Sequence, residues 1–345
     1  MLGGHIFGSP WGAVVTRGRP LHGVLPVFQT PFGDDEEVDY GELRAELEWV
    51  VAQGADGIVF GMVSELLRLS DWEREEVSRV ACEVAAHCDL DAIISVGAES
   101  TRSAVRFARA AEDAGASGIM AIPPMATSLP DQAIGEYYRG ILDATTLPLV
   151  VQDASGYVGR PLSIALQAEL LSSYGGRVLF KPEAIPIGPR LSALRDATGG
   201  RARAFEGSGG VALIDSYRRG IVGTMPGADL CWAVVSLWTA LEAGDFAGSY
   251  AIAGPLVGLV GLQASLDSFV RVEKYLLRKQ QVLRSSRSRG PVSFQLDTET
   301  RDEIDRLFDQ LGEIVKVVQA DGRGRGRDRT PRFDDSESGG AGATR

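Results

Sequence analysis

The stretch VLFKPEAIP, residues 178–186, has the pattern of a buried β-strand that ends in a lysine and a glutamate. Pro182 cannot donate a hydrogen bond to a neighbouring strand, which is typical of a strand end. Side chains two positions apart point to the same face of a strand, so Leu179, Lys181 and Glu183 share one face. The stretch therefore predicts an amine and a carboxylate side by side at the end of a sheet.

Seven further stretches share this strand pattern and alternate with amphipathic helical runs. The eight predicted strands are GVLPVFQT (23–30), DGIVFG (56–61), DAIISVGA (91–98), SGIMAIPP (117–124), LPLVVQD (147–153), RVLFKPE (177–183), ARAFEG (202–207) and GIVGTMPG (220–227). Several are apolar on both faces, as expected when helices cover the sheet. Eight β/α units in a row predict an α/β fold, a (β/α)8 TIM barrel. A doubly wound open sheet is the alternative, but no Gly-x-Gly-x-x-Gly follows a strand.

The chain is predicted to contain four segments. The barrel spans residues 21–229 and follows an N-terminal extension of residues 1–20. Helical patterns continue through residues 230–320 and exceed what a minimal barrel needs, so they predict a C-terminal helical region. Residues 321–345 lack an apolar pattern and predict a disordered tail.

Composition argues against several classes of function. A net charge of −11 argues against nucleic acid as the main partner. Three histidines and three cysteines, scattered along the chain, argue against a metal site and a disulfide framework, and we expect no metal or organic cofactor. The first residues lack the pattern of a signal peptide, and the most apolar later stretch is short and contains Pro255. We therefore expect a cytoplasmic protein without membrane contact.

Lys181 is one of only four lysines, whereas the other 31 of the 35 basic residues are arginine. A desolvated lysine can lose its proton and attack a carbonyl as a neutral amine, which arginine cannot do. Active sites of barrels lie at the C-terminal ends of the strands, where the sixth strand places this amine. Lys181 is therefore predicted to be a catalytic nucleophile with Glu183 beside it. The alternative is a structural role, a buried ion pair with Glu183 or another carboxylate.

The loop after the second strand, GMVSE, offers groups that could bind a substrate. Gly61, Ser64 and Glu65 lie in a turn whose backbone N–H groups and single hydroxyl suit a substrate carboxylate. The alternative for Ser64 is the N-cap of a helix.

Polar groups also end the fifth and seventh strands. Gln152 can hydrogen-bond a hydroxyl or carbonyl but cannot transfer a proton at neutral pH. Asp153 falls on the opposite face and is predicted to anchor a loop. Glu206 could reach a polar substrate, and Gly207 permits a ligand to approach closely. A turn with a solvated charge is the alternative at both strand ends.

Six strand regions, taken in order, resemble the dihydrodipicolinate synthase / N-acetylneuraminate lyase family of class I lyases. They are LPVFQTPF, GADGIVFGMVSE, GASGIMAIPPM, LPLVVQD, VLFKPE and GIVGTMPG, and the resemblance extends from about residue 21 to 318. It implies a barrel with a C-terminal helical domain and a Schiff-base lysine, here Lys181. It also implies a homotetramer that acts on a small 2-keto acid.

The departures from the family pattern point to one branch. Gln152 stands where the family usually has a proton-relaying tyrosine, GMVSE replaces G-T-T-G-E, and Met125-Ala126 replaces an aromatic pair. The Ser-Glu after strand two, QDA on strand five, FKPE on strand six and Glu-Gly on strand seven resemble dehydratases of the L-2-keto-3-deoxyarabonate type. In this branch Glu183 would carry the proton that the absent tyrosine cannot.

Three functions are consistent with these residues. The first is a Schiff-base dehydratase of a 2-keto-3-deoxy sugar acid, with Lys181 forming the imine and Glu183 carrying the proton. The second is a class I aldolase that uses the same imine and releases pyruvate. The third is a barrel without catalysis that binds a keto acid or a partner protein.

Overall fold

The computed structural model describes residues 20–156 and 159–324. Eight parallel strands form the barrel that the sequence predicts. The strands are β1 (Gly23–Val24), β2 (Gly57–Phe60), β3 (Asp91–Ser95), β4 (Gly118–Ala121), β5 (Leu149–Asp153), β6 (Val178–Pro182), β7 (Phe205–Glu206) and β8 (Gly223–Thr224). Strands β2 to β6 form one continuous parallel sheet, and β1, β8 and β7 form a second. Bridges from Val27 to Val59 and from Phe180 to Ala204 join the two sheets into a closed ring.

Helices follow the strands and continue beyond the barrel. They are α1 (Tyr40–Ala52), α2 (Asp71–His87), α3 (Thr101–Asp113), α4 (Asp131–Ala144), α5 (Ile164–Tyr174), α6 (Ile187–Ala197), α7 (Leu213–Arg218), α8 (Cys231–Glu242), α9 (Phe246–Gly261), α10 (Leu266–Lys279) and α11 (Thr298–Gly324). Several begin at a side chain that accepts a hydrogen bond from the first turn, as Asp39 does for α1 and Ser70 for α2. None of the helices in the described ranges is both long and apolar enough to cross a membrane.

The strand side chains form two separate apolar layers, because alternate residues face opposite sides of a strand. The inner layer fills the barrel and consists of Leu21, Leu25, Val27, Val59, Ile93, Met120, Val150, Leu179, Phe205 and Met225. The outer layer packs between strands and helices and includes Phe180, the neighbour of both Leu179 and Lys181. Leu179 therefore points into the barrel, and the face that it shares with Lys181 is the inner one.

The C-terminal helices pack directly against the barrel. Helix α8 contacts β1 as well as α9 and α11, so the predicted boundary between residues 229 and 230 falls inside the eighth β/α unit. Helix α11 extends to Gly324, so residues 321–324, predicted as the start of the tail, belong to this helix. The rest of the predicted tail and residues 1–19 of the predicted extension lie outside the described residues.

Residues 280–297 connect α10 to α11 and cross the first two β/α units without forming a helix or strand. Three arginines of this connection make ion pairs with acidic residues there. The pairs are Arg284 with Asp39 and Glu42, Arg287 with Asp34, and Arg289 with Glu73. The C-terminal region is thereby held over the C-terminal ends of β1 and β2.

Candidate active site

Lys181 and Glu183 lie together at the C-terminal end of β6, inside the mouth of the barrel. The Lys181 Nζ is 3.4 Å from the Glu183 Oε1, and both residues are buried. The register of β5 on β6 places Gln152 opposite Lys181, and the Gln152 Nε2 donates to the Glu183 Oε2 at 2.8 Å. The Gln152 Oε1 is buried and has no hydrogen-bond partner. The three side chains form a compact polar group with one acceptor still available.

A small cavity of about 20 Å³ lies against this polar group. Its remaining walls are apolar side chains and glycines from the ends of several strands and from α10. They are Val27, Met62, Val63, Gly207, Gly209, Met225, Pro226, Gly227 and Phe269. A cavity of this size has room for roughly one water molecule. The amine and carboxylate therefore sit in a largely apolar chamber, which strengthens their electrostatic interactions.

The Glu183 carboxyl is biased towards its protonated form. Burial raises the pKa of Glu183, and the nearby charge of Glu206 raises it further, while Lys181 and the hydrogen bond from Gln152 act in the opposite direction. Carboxyls with a raised pKa are the ones that enzymes commonly use to accept and return a proton. Glu183 thus has the properties expected of a general acid–base, and it lies beside the Lys181 amine.

Gly207 lies directly against both catalytic candidates. A Cβ at this position would be 2.7 Å from the Lys181 Cε and 2.9 Å from the Glu183 Oε1, closer than such atoms can approach. The sequence predicted that Gly207 would permit a close approach by a ligand, and in the structure the nearest groups are the lysine and the glutamate. The segment after β7 therefore closes one side of the site because it has no side chain there.

In the loop after β2, the polar side chains are directed into the protein. The Ser64 hydroxyl donates to the Phe28 carbonyl and accepts from the Gly61 N–H at 3.1 Å. The Glu65 carboxylate pairs with Lys274 and Arg68. Substrate binding by Gly61, Ser64 and Glu65 stays a prediction, and these contacts show that they shape the loop. The side chains that this loop presents to the cavity are those of Met62 and Val63.

Glu206 is fully buried and is surrounded by hydrogen-bond donors. Its Oε1 accepts from the Ser208 N–H at 2.6 Å and from the Ser208 hydroxyl, and its Oε2 accepts from the Thr224 hydroxyl at 2.8 Å. Neither Glu206 nor Ser208 lines the cavity at Lys181. Substrate binding by Glu206 stays a prediction, and its carboxylate already has three donors within the protein.

A cluster of three buried carboxylates lies behind the cavity wall at Gly227. Glu273 and Asp229 both approach the Gly227 Cα so closely that a side chain there would collide with them. Gln29 donates from its backbone N–H to Glu46 at 2.7 Å and from its side chain to Glu273. Burial raises the pKa of all three carboxyls, that of Glu46 to about 8. In the described part of the chain no group of histidine, cysteine and acidic side chains has the arrangement of a metal site.

Two features were not predicted from the sequence. One is that the C-terminal region forms part of the wall of the cavity at Lys181, and the other is this cluster of buried carboxylates. Phe269 and Glu273 belong to α10, far along the chain from β6, and nothing in the spacing of these residues indicates that they meet the barrel. A signal was present only for Glu46 and Glu273, as acidic residues on helical faces that are otherwise buried. Such positions are unusual for charged residues.

A second, larger cavity of about 230 Å³ opens between the loops after β4 and β5. Its lining is mostly apolar, with Thr127, Ser128 and Arg160 as the polar members. Ile122 and Ala154 of this lining pack against Met62, which also lines the small cavity at Lys181. Met62 therefore stands between the two cavities.

Comparison with known proteins agrees with this architecture. The sequence model of the dihydrodipicolinate synthetase family matches residues 20–311. An L-2-keto-3-deoxyarabonate dehydratase of Azospirillum brasilense is 26% identical over 308 residues, which are 88% of this chain and 98% of that protein. A 4-hydroxy-tetrahydrodipicolinate synthase of Natronomonas pharaonis is 33% identical over 149 residues, 43% of this chain and 50% of that protein.

A solved structure gives the same result for the fold. The dihydrodipicolinate synthase of Rhodopseudomonas palustris superposes with a TM-score of 0.78 at 24% identity, covering 86% of this chain and 99% of that one. The barrel, the extent of the family match and the full-length similarity to a dehydratase all point to one group of lyases. They confirm the resemblance found in the strand ends, and the chain belongs to the dihydrodipicolinate synthetase family.

Proposed function

We propose that the protein is a Schiff-base dehydratase of a 2-keto-3-deoxy sugar acid. The observation that carries the proposal is the pair of Lys181 and Glu183, 3.4 Å apart in an apolar chamber with no tyrosine among its described lining residues. The similarity over 98% of the length of an L-2-keto-3-deoxyarabonate dehydratase supports the same reaction class.

The reaction begins with the Lys181 amine. The neutral amine adds to the C2 carbonyl of the substrate, and the carbonyl oxygen leaves as water with the two amine protons. Once the imine nitrogen is protonated, it withdraws electrons from C3 and acidifies the C3 hydrogen.

Glu183 then carries one proton from carbon to oxygen. Its carboxylate removes the C3 proton, and the electron pair forms an enamine. The enamine expels the C4 hydroxyl, which takes the proton from Glu183 and leaves as water. Loss of a C5 proton and gain of a proton at C3 then move the new double bond to C4–C5, and the resulting C5 enol becomes an aldehyde as C4 takes up a proton. Water finally hydrolyses the imine, which releases the keto-semialdehyde and frees the Lys181 amine. A single positioned acid–base group of this kind accelerates a reaction by on the order of 10²–10⁴-fold.

Gln152 and the larger cavity bind the part of the substrate that lies beyond the reacting carbons. The unpaired Gln152 Oε1 can accept a hydrogen bond from a substrate hydroxyl next to the reacting carbons. A sugar acid does not fit within a cavity of about 20 Å³, so its tail extends past Met62 into the cavity of about 230 Å³. Thr127, Ser128 and Arg160 supply polar contacts there.

Borohydride trapping tests the imine. The protein is incubated with a 2-keto-3-deoxy pentonate, reduced, digested and analysed by mass spectrometry. We expect a reduced adduct on Lys181 in the parent protein and in the surface control Lys316→Arg, and none in Lys181→Arg. Absence of an adduct from the parent protein across a panel of 2-keto-3-deoxy acids contradicts the proposal.

Product analysis over the same panel separates the dehydratase from its rivals. A keto-semialdehyde is the product of dehydration, whereas pyruvate and a shorter aldehyde are the products of an aldolase acting through the same imine. If no turnover is found and Lys181→Arg keeps full affinity for the keto acid, the barrel binds without catalysis.

We also propose a homotetramer in the cytoplasm, as the family resemblance implies. Light scattering coupled to size-exclusion chromatography measures the mass of the assembly. A mass equal to that of one 36.8 kDa chain contradicts the tetramer.

A further inference from the structure

We propose that Met62 is a specificity-determining residue whose side chain closes the passage between the chamber at Lys181 and the larger cavity. This inference rests on the proposed function, because it assigns the residue that decides how long a 2-keto acid the site accepts. It concerns the part of the substrate beyond the reacting carbons and gives Met62 no part in the chemical steps.

The partition between the two cavities is a small apolar cluster of its own. Met62, Ile122 and Ala154 pack together and belong neither to the layer inside the barrel nor to the layer beneath the helices. Met62 lines the chamber at Lys181, whereas Ile122 and Ala154 line the larger cavity. Because residues from the two sides are in contact, a single layer of side chains separates the chamber from the larger cavity.

The partition must open before a substrate can occupy both cavities. The chamber has a volume of about 20 Å³, which is room for roughly one water molecule. Even pyruvate is several times larger than a water molecule, so the walls of the chamber must move to admit any 2-keto acid. A longer chain must in addition pass the partition, and the larger cavity of about 230 Å³ has the space for it.

Of the three side chains in the partition, that of Met62 is the one that can move aside. Ala154 ends at its Cβ and has no rotamers. Ile122 is branched at its Cβ, which restricts rotation about χ1, and a Cβ on Gly97 would lie only 3.1 Å from the Ile122 backbone nitrogen. Met62 is unbranched, with three rotatable bonds and a polarisable sulfur, and such side chains adapt readily to changing contacts.

The backbone that carries Met62 is held in place. Met62 begins a short 3₁₀ helix, Met62–Ser64, directly after Gly61. The Ser64 hydroxyl accepts from the Gly61 N–H at 3.1 Å and donates to the Phe28 carbonyl, which ties this turn to β1. The side chain of Met62 can therefore change its rotamer while the loop after β2 keeps its position.

A displaced Met62 side chain has apolar surface to move onto. Met125 and Leu266 pack against the partition, and both are only partly buried. The Met62 side chain can thus leave the passage and remain in contact with apolar groups, which keeps the free-energy cost of its displacement small. Rotation of one side chain is therefore expected to admit the longer substrates.

A comparison of substrate lengths tests the inference. The quantity measured is kcat/KM for a 2-keto-3-deoxy pentonate and for a 2-keto-3-deoxy hexonate, in the parent protein and in Met62→Ala. The substitution removes the movable part of the partition, so we expect the ratio of hexonate to pentonate to rise by about tenfold or more. Pockets discriminate by about this factor for one added or missing carbon group.

Met225→Ala is the matched control, because Met225 also lines the chamber but packs in the layer inside the barrel. Its truncation enlarges the chamber without opening the partition, so both acids should be affected alike and the ratio should stay at the parent value. Met62→Leu is a second variant in case circular dichroism shows that Met62→Ala is unfolded. Leucine has nearly the same volume with one rotatable bond fewer, so we expect the ratio to fall several-fold.

An equal ratio in the parent protein, Met62→Ala and Met62→Leu overturns the inference. An equal rise in Met225→Ala also overturns it, since any enlargement of the chamber would then suffice. Borohydride trapping and product analysis on the parent protein keep this result separate from the proposed function. Absence of the Lys181 adduct, or pyruvate as the product, removes the proposed function. The rate at which each acid is consumed, or its affinity in calorimetry where none is consumed, still measures the dependence on length.

Discussion

The described part of the chain contains two buried pairs of lysine and glutamate, and the two pairs differ in their distance and in their surroundings. Lys181 and Glu183 face a cavity, and the Lys181 Nζ is 3.4 Å from the Glu183 Oε1. Lys274 and Glu65 form a closer pair with no exposed surface on either side chain. The Lys181 amine is therefore open to a ligand in the cavity, whereas the Lys274 amine is enclosed by protein groups.

Lys274 has a complete set of partners. Its ammonium group donates to the carbonyl oxygens of Thr30 at 2.7 Å and Arg287 at 2.8 Å as well as to the Glu65 carboxylate. The Phe32 ring lies 4.5 Å from the nitrogen. Burial lowers the pKa of Lys274, but the charge of Glu65 and its hydrogen bond raise it again. All three of its N–H bonds are used within the protein.

The comparison shows what separates a structural ion pair from the one proposed to be catalytic. Lysine is a scarce residue in this sequence, and Lys181 and Lys274 are both buried with a glutamate beside them. The difference lies in the number of fixed acceptors around the nitrogen and in the presence of open space next to it. The structural alternative considered for Lys181 thus describes Lys274 well.

The largest effect is expected from Lys181→Arg. Guanidinium remains protonated and cannot form the imine, so turnover should fall by about 10⁴-fold or more, while the charge opposite Glu183 is kept. Steady-state kinetics and thermal melting measure the two quantities. The surface variant Lys316→Arg should leave both unchanged. Residual turnover within tenfold of the parent protein would remove Lys181 from the mechanism.

Lys274→Met should act on stability instead. Removal of the lysine leaves the Glu65 carboxylate buried without its main partner, and breaking a buried pair in this way costs about 3–5 kcal/mol. Urea unfolding measures the loss in free energy of unfolding. The double variant Lys274→Met/Glu65→Gln should recover part of it, because no unpaired charge remains. An equal loss in the single and double variants would mean that packing of Lys274, rather than its charge, holds the loop.

Gly207→Ala tests how closely the catalytic pair is enclosed. The added methyl group would meet the Lys181 Cε and the Glu183 carboxylate at less than van der Waals distance, so both must shift. A displacement of about 1 Å can cost on the order of 10²-fold in rate, and we expect a loss of that size in kcat. Gly254→Ala, at a position with no atom within 4 Å of the new Cβ, is the matched control. Full activity in Gly207→Ala would show that the pair has room to move.

The smallest effect concerns Glu46, a buried carboxyl with no lysine partner. Burial raises its pKa from 4.5 to about 8, so the folded protein retains a proton that the unfolded chain releases. The resulting stability is present below about pH 4.5 and is lost as the pH rises through 8. Glu46→Gln still accepts the hydrogen bond from Gln29 and should flatten the decline in melting temperature between pH 5 and 8. Glu48→Gln, on the exposed face of the same helix, should keep the parent slope, and equal slopes in all three proteins would contradict the prediction.

Much of the fold was predictable from the sequence because periodicity is local. The eight predicted strands are confirmed, and the shared face of Leu179, Lys181 and Glu183 follows from alternation along one strand. The same alternation placed Asp153 on the other face of β5, where it accepts from the Ser155 and Leu162 N–H groups and anchors the loop.

The remaining features depend on contacts between distant segments. Whether Ser64 faces a substrate or the Phe28 carbonyl is decided by packing of the loop against β1, which no pattern in GMVSE encodes. The three donors around Glu206 come from two different strand ends. The pairing of Glu65 with Lys274 joins residues 209 positions apart. Such contacts are fixed by the closed barrel and not by local sequence.

The Lys274 contacts also bear on how this protein can change over evolutionary time. Through Lys274 and Phe269, helix α10 supplies both the counter-charge for the loop after β2 and a wall of the chamber around Lys181. A recombinant barrel that exchanged this helix for another would inherit Glu65 without its lysine partner and a Lys181 amine open to water. The barrel and its last helices are therefore expected to be inherited together, and to unfold as a single cooperative unit rather than as two modules.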